Sequence, residues 1–145
     1  MGLLEEHPWI KAHIDLYKSD PEKAHFHPVP GAGLMPTLLL TTRGRRTGIS
    51  RDLPLIYGRH GGAFVVVASV GGAPDNPGWL KNVLVNPEAE IQVGRERYSV
   101  RARVAIGVER AAAWKRMVEI YPTYDDYERM TAGIREIPVV FLEPI

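Results

Sequence analysis

Glu90-Ile91-Gln92-Val93-Gly94-Arg95-Glu96-Arg97-Tyr98-Ser99-Val100-Arg101-Ala102-Arg103-Val104-Ala105-Ile106 is the stretch on which the fold turns. Its second half alternates, with Val100, Ala102 and Val104 pointing one way and Arg101 and Arg103 the other. Successive side chains of a strand leave opposite faces, so this arm offers one face to a core and one to water. Residues 90–93 and 98–106 therefore read as the arms of an antiparallel hairpin around the turn Gly94-Arg95-Glu96-Arg97.

More strands are expected upstream and downstream of the hairpin. Residues 63–69 form a continuous apolar run of strand length, opened by the turn Gly61-Gly62. Residues 34–42 are rich in Leu and Thr, residues 51–57 follow a glycine-containing turn, and residues 138–142 close the chain. Helices are expected at 8–18, where Trp9, Ile10, His13, Ile14 and Tyr17 fall at helical spacing, and at 108–120 and 124–130 around Pro122. A further helix is expected from Asn76 as N-cap and Pro77 as first helical residue to Val85, ahead of Asn86-Pro87. Residues 21–33, rich in Pro, Gly and His, read as an irregular connection. The fold class is mainly β with α: a barrel of about six antiparallel strands with helices packed outside. Residues 1–33 form the N-terminal helix and connection, and residues 34–145 form the barrel domain.

Bulk properties narrow the function. A chain of 145 residues suits one domain with a real core. The absence of cysteine excludes disulfides, thiolate metal sites and cysteine nucleophiles. A formal net charge of +1 gives no global field for nucleic acid, so any anion site is a local cluster. The start, Met1-Gly2-Leu3-Leu4-Glu5-Glu6-His7, lacks a basic flank and an apolar core, so neither a signal peptide nor a lipid anchor is expected and the chain reads as cytoplasmic. The 8–18 helix is read as a cap on the domain, with weak peripheral membrane contact as the alternative. His25 and His27 lack companions at ligand spacing, so no metal is expected.

Three features carry chemistry. In Thr41-Thr42-Arg43-Gly44-Arg45-Arg46-Thr47-Gly48-Ile49-Ser50-Arg51, four arginines fall within nine residues with no acid among them. Guanidinium forks match phosphate bidentately, and Gly44 and Gly48 let the turn aim backbone N–H groups inward. A solvated hairpin turn explains the same residues. Next, Ala68-Ser69-Val70-Gly71-Gly72 leaves a strand and leads to Asn76-Pro77-Gly78-Trp79 at a helix start, either an anion-binding row of amides or a plain connection. Last, in Tyr121-Pro122-Thr123-Tyr124-Asp125-Asp126-Tyr127, Tyr124 and Tyr127 share a helical face with Tyr121 just before it, either lining a pocket for a planar ligand or simply packing.

The ordered set, from Leu38-Leu39-Leu40-Thr41-Thr42-Arg43-Gly44-Arg45-Arg46-Thr47-Gly48 through Val67-Ala68-Ser69-Val70-Gly71-Gly72-Ala73, Asn76-Pro77-Gly78-Trp79 and Asn86-Pro87 to the tyrosine segment and Ile137-Pro138-Val139-Val140, resembles the deazaflavin-dependent nitroreductase family. The resemblance spans about residues 38–144 and implies a split β-barrel that binds coenzyme F420 and passes hydride to an electron-poor acceptor such as a quinone, an enone or a nitro compound. It implies that Arg45, Arg46 and Arg51 hold the coenzyme's phosphate and acidic tail, with backbone donors from Ser69, Val70, Gly71 and Gly72. Pro77, Gly78 and Trp79 would flank the deazaflavin ring. Tyr121, Tyr124, Tyr127 and Ile56 would border the acceptor; the proton that completes the reduction would come from Tyr124 or Tyr127 by general acid catalysis, or from water. The family often carries Lys where this chain has Val70, and its best-studied type has an aromatic where Ile56 stands. Two alternatives use the same residues: an FMN-binding split-barrel reductase, and a non-catalytic protein that binds the deazaflavin or an acyl chain.

Overall fold

The computed structural model describes residues 8–145; the reading of residues 1–7 lies outside the described residues. In chain order the elements are α1 (Pro8–Ser19), α2 (Pro21–His25), β1 (Phe26–Val29), β2 (Gly33–Arg43), β3 (Ser50–Ile56), β4 (Gly58–His60), β5 (Ala63–Val67), α3 (Gly78–Val85), β6 (Glu88–Val93), β7 (Glu96–Val104), α4 (Gly107–Ile120), α5 (Thr123–Thr131) and β8 (Val139–Pro144). A short 3-10 turn, Val70–Gly72, lies between β5 and α3.

All eight strands join one antiparallel sheet in the order β1-β2-β6-β7-β8-β5-β4, with β3 also on β2. β1 and β3 occupy successive lengths of one edge of β2, and β6 takes the other edge. This order forces the sheet to curl. Six strand-to-strand steps separate β3 from β4, roughly 29 Å if the sheet were flat. Only Tyr57 links the two strands in the chain, and its N–H still donates to the Pro36 carbonyl at 3.2 Å. The sheet therefore curls into a half-barrel, and one strand changes partner from β2 to β5 at the Tyr57–Gly58 corner.

Gly58 leaves room for two side chains at that corner. A Cβ there would stand 2.7 Å from Met117 Sδ and 2.8 Å from Ile120 Cδ1, so any larger residue displaces the ends of these two α4 side chains.

The continuous apolar runs are explained by burial on both faces. From β5, Phe64 and Val66 enter the barrel interior, while Ala63, Val65 and Val67 meet α4 and α5 on the outside. β8 divides likewise, with Val140 and Leu142 inward and Val139 and Phe141 outward. In β2, Leu38 and Leu40 face the interior, whereas Leu39 packs with Ile10, Ile14 and Tyr17 of α1.

The structure corrects several expectations. The 21–33 stretch is not an irregular connection. It holds α2, capped by Asp20 accepting from the Lys23 N–H at 3.3 Å, and β1, which pairs with β2. Among the described residues the strands number eight where about six were expected, the additions being β1 and the three-residue β4. The hairpin turn shortens to Gly94-Arg95, since Val93 pairs with Glu96. Asn76 does not cap α3; Pro77 occupies that position, and α3 begins at Gly78. One face of α3 packs into the barrel interior through Trp79, Leu80 and Val83, while Leu84 and Val85 are exposed. No helix among the described residues is long and apolar enough to cross a membrane.

Candidate functional site

Two loops meet at α3. The β2–β3 turn closes with the Gly44 N–H on the Ile49 carbonyl and the Gly48 N–H on the Gly44 carbonyl, at 2.9 and 2.8 Å. Gly48 adopts φ +72°, as the turn chemistry requires. The turn is tied to the barrel through Asn82, a buried amide on the inner face of α3. Its Oδ1 accepts from both the N–H and the guanidinium of Arg45, and its Nδ2 donates to Thr42 Oγ1 at 3.2 Å. Asn82 sits four residues beyond Gly78, roughly 6 Å of helical rise. The arginine turn is therefore held about one turn along from the N-terminus of α3.

Residues directly opposite in an antiparallel pair share a face. Arg51 lies opposite Thr42, so both Arg45 and Arg51 stand on the α3 side. Arg43 lies opposite Ser50 on the other face, with Leu39 and α1. Arg43, Arg45, Arg46 and Arg51 are exposed, and among the described residues none of them forms an ion pair. Neighbouring Asp52 is engaged elsewhere, by Thr41 Oγ1 at 2.6 Å and by Lys18 at 3.7 Å. The positive charge of the turn is thus uncompensated.

The second loop, residues 68–77, has an unusual backbone. Val70, Gly71 and Gly72 have φ of +45°, +61° and +82°, three left-handed residues in succession. Two are glycines, but Val70 is β-branched, and that conformation is strained for it. The Gly72 N–H donates to the Ser69 carbonyl at 2.9 Å and the Ala73 N–H to the Val70 carbonyl at 3.1 Å. The N–H groups of Ser69, Val70 and Gly71 meet no acceptor among the described residues. Ser69 is right-handed, with φ −83° and ψ −36°, so these three free donors span the change from a right-handed to a left-handed backbone, a nest of the kind that holds anionic oxygens. The first amides of α3 add to it, since no side chain caps that helix.

Two braces hold this loop. Tyr127 and Met130 pack on Gly72, where an added Cβ would lie 3.3 and 3.0 Å away. The guanidinium of Arg135 is the second brace. Its Nε donates to the Ala73 carbonyl at 3.0 Å and its Nη2 to the Ser69 carbonyl at 3.0 Å. Its Nη1 donates to the Ala68 carbonyl at 3.2 Å and to Asn76 Oδ1 at 2.9 Å.

The three tyrosines form one cluster beside the loop. Tyr121 and Tyr124 meet edge to face at 5.0 Å, and the Tyr121 and Tyr127 hydroxyls are 3.3 Å apart. Tyr124 is buried, and loss of solvent drives its pKa well above the usual phenol value. Tyr127 is half-buried, and desolvation, with Tyr121 beside it, pushes its pKa up to about 12. Ile56 packs into the same outer cluster.

The structure thus ties Arg45 to α3 through Asn82, sets Arg51 on the same face of the sheet, runs the 69–71 amides into the loop that leads to α3, and packs Tyr127 against that loop. Three expected details differ. The Gly72 N–H is engaged within its own turn. Trp79 is 7% exposed and packs in the barrel interior. Asn82 and Arg135, the residues that hold the two loops, were not anticipated. A polar residue within the apolar run Trp79-Leu80-Lys81-Asn82-Val83-Leu84-Val85 was the signal for Asn82; nothing local marks Arg135.

The chain matches known proteins over nearly its whole length. A family described as F420H(2)-dependent quinone reductase matches residues 11–144. The F420H(2)-dependent quinone reductase Rv1261c of Mycobacterium tuberculosis is 40% identical over 119 residues, 80% of this chain and 77% of that protein. A second protein of that organism, Rv3178, is 42% identical over 117 residues, 79% of this chain and 97% of the relative. The solved structure of an F420-H2 dependent reductase, FDR-A, is 39% identical with a TM-score of 0.69, covering 74% of this chain and 94% of that one.

Proposed function

Because the chain belongs to the F420H(2)-dependent quinone reductase family, we propose that it binds reduced coenzyme F420 at the α3 end of the barrel and reduces a quinone there. The observation that carries the site assignment is the pairing of an uncompensated arginine turn with three free amides, those of Ser69, Val70 and Gly71, where the backbone turns left-handed at the strained Val70. Residues in such conformations persist where surrounding structure over-determines them, and they gather at ligand clamps. Both features suit an anionic ligand, so the residues present fit a coenzyme that carries a phosphate and an acidic tail.

In this reading Arg45, Arg46 and Arg51 hold the acidic tail and phosphate, and the N–H groups of Ser69, Val70 and Gly71 supply the neutral donors. The backbone of Pro77, Gly78 and Trp79 flanks the ring, since the Trp79 side chain belongs to the core. When bound, the reduced coenzyme supplies the hydride. The protein contributes alignment, which in favourable cases is worth roughly 7–11 kcal/mol. Ile56, Tyr121 and Tyr127 border the acceptor. The raised pKa of Tyr127 keeps its phenol protonated at neutral pH, so it donates a hydrogen bond to an acceptor oxygen and water delivers the proton. Tyr124 is the deeper support of that wall. The apolar face of α1 is engaged with Leu39 and Ala24, which favours its role as a cap over a membrane contact. The cysteine-free composition accords with a cytoplasmic setting.

The test is a fluorescence titration of the protein with oxidised F420, with FMN in parallel, followed by oxidation of the reduced coenzyme with menadione as acceptor. Saturable F420 binding with quinone-dependent turnover is expected. Binding of FMN alone would keep the barrel and overturn the cofactor, and F420 binding without turnover on menadione or other quinones would overturn the enzymatic role.

A further inference from the structure

We propose that Arg135 is a positioning residue that presents the Ser69 and Val70 amides to the coenzyme; the proposal rests on the site reading above. The argument is one of peptide geometry. In a trans peptide the carbonyl of one residue and the N–H of the next point in opposite directions. Arg135 draws the Ala68 and Ser69 carbonyls onto a single guanidinium, at 3.2 and 3.0 Å. The N–H groups of the same two peptide units, Ser69 and Val70, must then point away from it. Those amides are among the three that meet no acceptor among the described residues. One cation thus gathers the carbonyl side of the loop and leaves the amide side free for an anion.

The remaining contacts of Arg135 lock the loop at its far end, through the Ala73 carbonyl and Asn76 Oδ1, both at the approach to α3. A planar fork reaches these four oxygens together; an ammonium, with one donor centre, does not. Such a latch is needed because Val70 at φ +45° would otherwise relax towards a right-handed or extended conformation and turn its neighbouring peptides. Arg135 comes from the segment joining α5 to β8, 66 residues from Ser69 in sequence, so the latch is wholly tertiary.

The test compares the unaltered protein with Arg135→Gln and Arg135→Lys. The readout that needs no ligand is amide exchange at Gly72 and Ala73, whose N–H groups are bonded within the loop. About tenfold faster exchange there is expected in both variants, with protection of the barrel strands unchanged. The dissociation constant for F420 should rise about tenfold while kcat at saturating coenzyme stays within about twofold, since the amides act in binding. Arg135→Lys keeps the charge and guards against loss of fold in the glutamine variant. Unchanged exchange at Gly72 and Ala73, or unchanged affinity in both variants beside an unaltered protein that binds, would overturn the proposal. Failure of the unaltered protein to bind F420 would overturn the site reading and this proposal with it, and is told apart because it needs no variant.

Discussion

Asn82 Oδ1 receives two hydrogen bonds from Arg45, the backbone N–H at 3.2 Å and the guanidinium at 3.0 Å, while its Nδ2 donates to Thr42. A single buried amide therefore fixes both the path of the β2–β3 turn and the direction of its central arginine. Asn82→Ala leaves Thr42 Oγ1 and the Arg45 N–H without these partners, and the loss of such bonds at a buried site is worth about 1–3 kcal/mol. Urea unfolding should register that loss, and F420 affinity should fall with it because Arg45 is no longer aimed. Unchanged affinity in the folded variant would remove Arg45 from the coenzyme site.

Arg46 and Arg51 behave differently, being exposed and without ion-pair partners among the described residues. Replacing either by Ala should change stability by no more than about 0.5 kcal/mol. If each donates a charge-assisted bond worth about 1.5–3 kcal/mol, the F420 dissociation constant rises roughly 10–100-fold. That increase should shrink at high salt, where screening weakens exposed charge pairs. Titration of each variant at low and high ionic strength tests this; a salt-independent effect would point to altered loop shape instead of lost charge.

Much of this arrangement is legible in the sequence, and the remainder has a common physical character. The apolar runs of β5 and β8 announce buried strands, and Pro87 and Pro122 punctuate the helices near where they end. Uncompensated charge marks the arginine turn. What escapes local reading depends on partners distant in the chain. β1, with its His and Pro content, is a strand only because β2 offers it an edge, and β4 is three residues whose pairing with β5 follows from the curl. Asn76 looks like an N-cap, yet its side chain accepts from Arg135. Trp79 looks like a ligand platform, yet the barrel interior takes its indole.

Gly58 tests the corner that closes the barrel. Gly58→Ala drives a Cβ against the Met117 and Ile120 side chains at 2.7 and 2.8 Å, so α4 must shift or the side chains must leave their positions. Overpacking of this kind is worth about 1–3 kcal/mol of destabilisation. Equal denaturation midpoints for the two proteins would show that α4 yields without strain.

His13 gives the fold a pH dependence whose sign follows from its surroundings. It is 4% exposed on α1, its Nε2 lies 3.0 Å from the Ala24 carbonyl and 3.2 Å from Thr37 Oγ1, and its ring stacks on His27 at 3.8 Å. Burial lowers its pKa from the usual 6.5, the Ala24 carbonyl opposes the shift, and His27 adds to it. His25, paired with the Tyr57 hydroxyl at 2.6 Å, is lowered by burial as well. A lowered pKa in the folded state means that the unfolded chain takes up the proton first as acid is added. The stabilisation is therefore present above about pH 6.5 and is lost as pH falls from there towards the folded-state value. His13→Gln keeps a neutral donor near the Ala24 carbonyl but cannot titrate. Urea unfolding at about pH 7.5 and about pH 5 should show a smaller acid-induced loss for the variant than for the unaltered protein. Equal losses in the two proteins would mean that the His13–His27 stack accepts a proton without loosening α1, and that the acid sensitivity of the fold arises elsewhere.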